Sequence, residues 1–133
     1  MTDAAAIMEA SLIAAAESDI DIRQIVFERF FAAFPKTRPS FYNLEAASGR
    51  MINETLEAMI GLADEAPWVT TTVVNFVDLH RNYAEIPFEQ YAGFVDMSLD
   101  ALAIAAGDTW SAAAQQAWEL AAERLKTLIS ANI

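Results

Sequence analysis

The chain contains one histidine, His80, and no cysteine, which narrows the chemistry open to its side chains. Without cysteine there is no thiolate metal site and no cysteine nucleophile, and one histidine leaves little room for acid–base catalysis. A neutral imidazole does suit iron, and a haem iron needs only one protein ligand. A zinc or di-iron site needs more ligands, and the chain has no Glu-x-x-His pair. His80 is therefore either an axial haem ligand or a hydrogen-bonded histidine of the core.

The charge balance excludes several classes of partner. The 133 residues include 8 Lys and Arg against 19 Asp and Glu, which gives a net charge of −11. Phosphate backbones and anionic membrane surfaces repel such a protein, so neither nucleic acid nor membrane is expected as a partner. The first residues lack a basic leader, and no segment is apolar for long enough to span a bilayer. We expect one domain over 1–133, located in the cytoplasm.

Helical patterns dominate the rest of the chain, which has only four glycines and four prolines. We expect "PKTRPSFYN" to form a corner or a short turn of helix, and Pro67 and Pro87 each to begin a helix. Three further helices are predicted with their limits: one over about 4–17, one capped by Ser18 or Asp19 and stopped by Pro35, and one capped by Ser48 and continuing to Glu65. The last helix is expected from Asp108 to about Ser130, after Gly107.

The segment "WVTTTVVNFV" is rich in β-branched residues, and propensity alone predicts a strand. Two observations favour a helix instead. Val69, Val73, Phe76 and His80 follow one another at steps of four, three and four, which places them on one helical face. The neighbouring segments are helical, so a strand would have no partner. The fold class is therefore all-α, with His80 at the end of an inward-facing stripe.

Three stretches resemble the single-domain bacterial haemoglobins and the globin domain of flavohaemoglobins. They are "FPKTRPSF" at 34–41, "LHRNYAEIPFEQY" at 79–91 and "AWELAAERLKTLI" at 117–129. The resemblance runs from about Ile20 to Ile129. It implies a globin fold of about six to seven helices around a haem b pocket, and reversible binding of a diatomic gas (O2, CO or NO).

The resemblance also assigns roles to individual residues. His80 matches the proximal iron ligand, Phe41 matches the phenylalanine that stacks on the haem, and Tyr91 falls within one residue of the proximal tyrosine. Phe76, on the face of His80, joins this proximal side. Four polar residues are candidates for contact with the haem propionates at the pocket mouth, and the alternative for each is ordinary solvated surface. They are Tyr42, Asn43, Arg50 and Arg81.

The ligand side departs from the family pattern. Phe27 stands where these haemoglobins have a tyrosine that donates a hydrogen bond to oxygen. The other distal position falls on either Ser48 or Met51, with Ile52 or Thr55 as the apolar gate one turn further on. Neither alternative supplies a strong donor, so the resemblance implies a largely apolar distal pocket.

Other readings remain open. The glutamate that supports the proximal histidine in flavohaemoglobins would fall near Ile133. The chain also leaves no room for a flavin domain, so we expect any redox activity to need an external reductase. An enzyme is therefore not the favoured interpretation. A globin-fold interaction or sensor domain without haem would keep His80 as a core residue. An unrelated acidic helical bundle is the third reading. Exposed apolar faces would allow a homodimer.

Overall fold

A computed structural model describes all residues, 1–133, and it contains helices but no strand. The all-α prediction is confirmed. Six α-helices follow in chain order: α1 Asp3–Glu17, α2 Ile22–Ala33, α3 Leu44–Ala63, α4 Trp68–Arg81, α5 Phe88–Ala106 and α6 Ala112–Ser130. Two short 3-10 helices, Pro35–Ser40 and Gly107–Thr109, precede α3 and α6. None of the helices combines the length and apolar character needed to cross a bilayer.

Side-chain caps define where α2 and α3 begin, and two of the predicted caps are wrong. Asp21 caps α2, because its carboxylate accepts from the backbone N–H of Arg23 at 3.0 Å. Ser18 instead ends α1, where its hydroxyl donates to the carbonyl of Ala15 at 2.7 Å. Asn43 caps α3 through its side-chain oxygen, so this helix begins at Leu44 and not after Ser48. In α3 the suitable cap lies five residues before the predicted one, whereas in α2 it lies after both predicted candidates, Ser18 and Asp19.

The prediction for the start of the last helix is also wrong. Asp108 belongs to the second 3-10 helix, and α6 begins at Ala112 after its cap Ser111. The Pro35–Ser40 helix confirms the predicted short turn, and Pro67 and Pro87 directly precede α4 and α5 as expected.

The core lies where α1, α5 and α6 pack against one another. Met8, Leu102 and Trp118 are completely buried there. The indole Nε1 of Trp118 donates to the hydroxyl of Ser11 at 3.1 Å, and that hydroxyl donates to backbone carbonyls of its own helix. A buried indole N–H needs such a partner, so this bond fixes how α6 lies on α1.

Helix α4 joins this core through α3 and α6 only. Its buried stripe is Val69, Val73 and Val77, each at most 1% exposed. The predicted stripe ended in Phe76 and His80, and these two instead lie half-buried on the neighbouring face. The helix is confirmed despite its β-branched residues, because burial of the valines outweighs a small loss in helix propensity.

Candidate functional site

The backbone of α4 does not closely approach the helices opposite it. No Cα atom of α4 lies within 8 Å of a Cα atom of α2 or α5. Only side chains cross the space between them, which we call the cleft. Phe76 and His80 enter it from α4, and the ring of Tyr91 on α5 lies 6.4 Å and 5.7 Å from theirs, centroid to centroid. The structure therefore brings together three of the predicted site residues across the cleft.

His80 is held in one orientation by its own helix. Its Nδ1 atom lies 2.7 Å from the carbonyl oxygen of Phe76, four residues earlier. A carbonyl can only accept, so Nδ1 carries the proton and Nε2 of the neutral ring keeps its lone pair. The ring is half-buried and makes no other hydrogen bond. This arrangement leaves one unprotonated nitrogen available to a metal or a donor in the cleft.

Two flanks of α3 face different parts of the molecule. Ser48, Ile52 and Leu56 are buried and form the stripe that faces the core. Met51 and Thr55 are half-buried and share a second flank, since residues four apart lie on the same helical face. The Thr55 hydroxyl donates to the carbonyl of Met51 at 2.8 Å. The Ser48 hydroxyl donates to the carbonyl of Glu45 at 3.3 Å. Both predicted weak donors are therefore already used within their own helix.

The opposite wall of the molecule is an aromatic cluster. Phe27 is 3% exposed, and its ring centroid lies between 5.5 and 6.3 Å from those of four other phenylalanines, Phe30, Phe31, Phe41 and Phe94. Edge-to-face packing of this kind stabilises aromatic pairs beyond simple burial. Phe41 is half-buried and follows the Pro35–Ser40 helix directly. Phe27 contributes no polar atom to this cluster, so this side of the interior is apolar.

The sequence model of the globin family matches residues 24–129, which span most of α2 and reach the end of α6. The chain belongs to the globin family. No curated protein and no solved structure matches it. Membership confirms the family and the fold expected from the three motifs, and it implies a haem-binding, gas-binding protein. In this globin α1 lies outside the matched residues.

Ile52 of this globin borders a different space from Met51. A groove of about 400 Å³ lies between α1, α2 and α3, and Ile52 and Leu56 form part of its wall. Gly49 and Asn53, on the flank of α3 away from Met51, line the same groove. Ile52 therefore packs towards the α1–α2 corner, whereas Met51 and Thr55 do not line this groove.

Tyr91 is the polar group of the cleft nearest to His80. The side chain is 9% exposed, and its hydroxyl makes no hydrogen bond to the protein. Burial raises the pKa of Tyr91 above 10.0, and the positive charge of Arg81 opposes the rise. Ionising this hydroxyl in an apolar surrounding is unfavourable, so it stays neutral and able to donate.

The donor set of this globin fits a cofactor that needs a single protein ligand. No group of three or more histidine, cysteine or acidic side chains is close enough to hold a metal ion. Every polar side-chain atom that is completely enclosed by protein has a hydrogen-bond partner, and the Tyr91 hydroxyl is not among these enclosed atoms. A bare metal ion would need several ligands, whereas haem brings four nitrogens of its own. One imidazole nitrogen beside apolar side chains matches that requirement.

Three of the four residues predicted for the propionates have other partners, and the fourth, Tyr42, is exposed. Tyr42 is 93% exposed, Asn43 caps α3, and Arg50 pairs with Glu54 at 3.9 Å. Arg81 donates to the side chain of Asp78 and to a backbone carbonyl near the end of the chain.

One residue at the contact between α3 and α4 was missed by the sequence analysis. Gly61 allows the close α3–α4 contact, and a glycine inside a helical pattern was the available signal. The contact of Arg81 with Asn132 was not anticipated either, because the two residues lie 51 positions apart and no local pattern indicates it.

Proposed function

We propose that this globin binds haem b through Nε2 of His80 and reversibly binds a diatomic gas on the other side of the haem. The observation that carries the proposal is the 2.7 Å hydrogen bond from Nδ1 of His80 to the carbonyl of Phe76. Metal-ligating histidines generally donate their second ring N–H in this way, which fixes tautomer and ring orientation. Bound haem supplies the iron at which the gas is held, and the chain supplies ligation, shape and polarity.

Individual residues would have different roles in binding the haem and the gas. Phe76 and Tyr91 pack against the imidazole of His80 and restrict its rotation. Phe41 is proposed to stack on the haem at the corner after the Pro35–Ser40 helix. Met51 and Thr55 are proposed to line the gas side. Ser48 and Ile52 support that side from the core stripe rather than contact the gas.

An apolar gas side has a consequence for selectivity. Phe27 lies among phenyl rings, and the hydroxyls of Ser48 and Thr55 donate to carbonyls of α3. Oxygen bound to iron carries partial negative charge and is stabilised by a hydrogen-bond donor. The binding of carbon monoxide depends much less on such a donor. We infer that oxygen is held loosely and that carbon monoxide or nitric oxide binds comparatively well. We also propose a single cytoplasmic domain over 1–133, a separate reductase for any redox turnover, and a homodimer as the assembly to test.

A second candidate function is a haem-free interaction or sensor domain. The observation that favours it is the contact of aromatic rings within the interior: Phe76, His80 and Tyr91 already meet across the cleft, and Phe27 is enclosed by its neighbours. In that case His80 would be a core residue with a satisfied Nδ1. Uptake of hemin decides between the two functions.

Hemin titration followed by absorption spectroscopy tests the proposal. We expect stoichiometric uptake, a sharp Soret band, and a shift of that band when carbon monoxide is added to the reduced protein. His80→Ala should lose the bound haem, whereas Thr71→Ala, an exposed substitution in the same helix, should retain it. No uptake by the unaltered protein would refute haem binding and favour the haem-free domain. A six-coordinate reduced spectrum would identify an internal ligand such as Met51.

Phe27→Tyr tests the assignment of the gas side. A hydroxyl at this position should donate to bound oxygen and slow its dissociation about tenfold, because one hydrogen bond in an apolar site contributes roughly 1–2 kcal/mol. Phe31→Tyr, one turn further along α2 and half-buried, is the matched control and should leave the rate unchanged. Stopped-flow measurement of oxygen dissociation gives the result. Equal rates in both variants and the unaltered protein would contradict the placement of Phe27.

A further inference from the structure

The last turn of α4, residues 78–81, carries His80 and is held from one side only. Val77 is the last buried residue of the helix, and Asp78, Leu79 and Arg81 are exposed. The cleft separates this turn from α5, and the connection over 82–87 forms no helix. The rings of Phe76 and Tyr91 restrain the imidazole itself, but packing holds the backbone of this turn only weakly, and α6 is its remaining support.

Arg81 makes the polar contact between this turn and the end of α6. Its Nη2 donates to the backbone carbonyl of Asn132, and its Nη1 donates to Oδ1 of Asp78 at 2.5 Å. Asn132 is itself anchored, because its Nδ2 donates to the carbonyl of Leu128 in α6 at 2.8 Å. The guanidinium thus joins the C-terminal ends of two helices that are distant in sequence.

We propose that Arg81 is a positioning residue that sets the position of His80 relative to the rest of the fold by joining the end of α4 to the end of α6. The inference rests on the proposed function, in which His80 is the iron ligand. A guanidinium suits this task, because its planar donors reach two acceptors in fixed directions. An ion pair within α4 alone would not hold the helix in place, so the contact with Asn132 carries the effect.

Four variants separate this role from a general loss of charge. Arg81→Ala removes the contact, and deletion of Asn132 and Ile133 removes its acceptor. Asp78→Ala removes only the pair within α4 and leaves the contact between helices. Arg29→Ala is the matched surface control, since Arg29 is exposed on α2, a helix that contacts neither α4 nor α6.

Hydrogen exchange in the haem-free protein is the first measurement. We expect Arg81→Ala and the deletion each to raise amide exchange over 78–81 about threefold, a magnitude appropriate to a half-exposed charged contact. The double variant should exceed neither, because both changes remove the same interaction. Both controls should exchange as the unaltered protein does. No change in Arg81→Ala, or two effects that add, would overturn the proposal.

The haem-loaded protein supplies the second measurement. We expect the two variants to lose hemin about threefold faster and to shift the iron–histidine stretching frequency of the reduced protein, whereas Asp78→Ala should change neither. An unchanged stretching frequency in Arg81→Ala would refute the positioning role. A protein that binds no hemin but shows the expected exchange would refute the proposed function while retaining the link between α4 and α6.

Discussion

Gly61 lies where α3 meets the start of α4, and replacing it by alanine should strain this corner. A Cβ atom at this position would lie 2.6 Å from Cγ2 of Val69 and 2.8 Å from Cζ2 of Trp68. Trp68 is 47% exposed and can rotate away. Val69 is 1% exposed and β-branched, so its side chain has little freedom to move. The start of α4 would therefore have to shift away from α3.

Gly49, in the same helix, provides a control that isolates this strain. A Cβ atom there would approach no closer than 3.8 Å, to Cδ of Arg23. Glycine to alanine within a helix contributes about 1 kcal/mol of stability at both positions, so this gain cancels in the comparison. What remains is the cost of overpacking, typically 1–3 kcal/mol. Gly61→Ala should be less stable than Gly49→Ala by that amount, or by roughly 4–11 °C in Tm.

Urea denaturation followed by circular dichroism measures both variants against the unaltered protein. Gly49→Ala should be more stable than the unaltered chain. Gly61→Ala should be equally or less stable and should bind hemin more weakly, since a shifted α4 displaces His80. Equal stability of the two variants would refute the argument that this corner has no room for a side chain. Equal stability together with reduced hemin binding would point to a local change around His80 instead.

Two further predictions follow from the same structure. In Gly93→Ala the new Cβ would meet Cε2 of Phe34 at 3.0 Å, and this half-buried ring has some room to move, so urea denaturation should place the variant between the two α3 variants. Burial raises the pKa of Tyr91 above 10.0, although the positive charge of Arg81 partly opposes the rise. As the pH increases, Tyr91 therefore loses its proton at a lower pH in the unfolded chain than in the folded protein. The free energy of unfolding should therefore be fully retained below pH 10 and fall as the pH rises through the raised pKa, and Tyr91→Phe should lessen that fall.

Local patterns were sufficient for the helices but not for their caps. Asn43 and Ser48 are both good cap residues, and the chain alone does not indicate which of them meets the first free N–H groups. The periodicity of Val69 and Val73 correctly predicted a helix where β-branched content suggested a strand. It did not show that Val77, rather than Phe76, completes the buried stripe, because α3 and α6 select that face.

Some features of the candidate site could likewise be predicted from the sequence, and others could not. Its histidine, its apolar character and its family could be inferred from the order of residues, because a lone imidazole, helical spacing and short motifs are local properties. The orientation of the imidazole, the separation of Ile52 from Met51 and the contact of Arg81 with Asn132 could not. These depend on helices that meet across long stretches of chain, where packing and not spacing decides which side chains face one another.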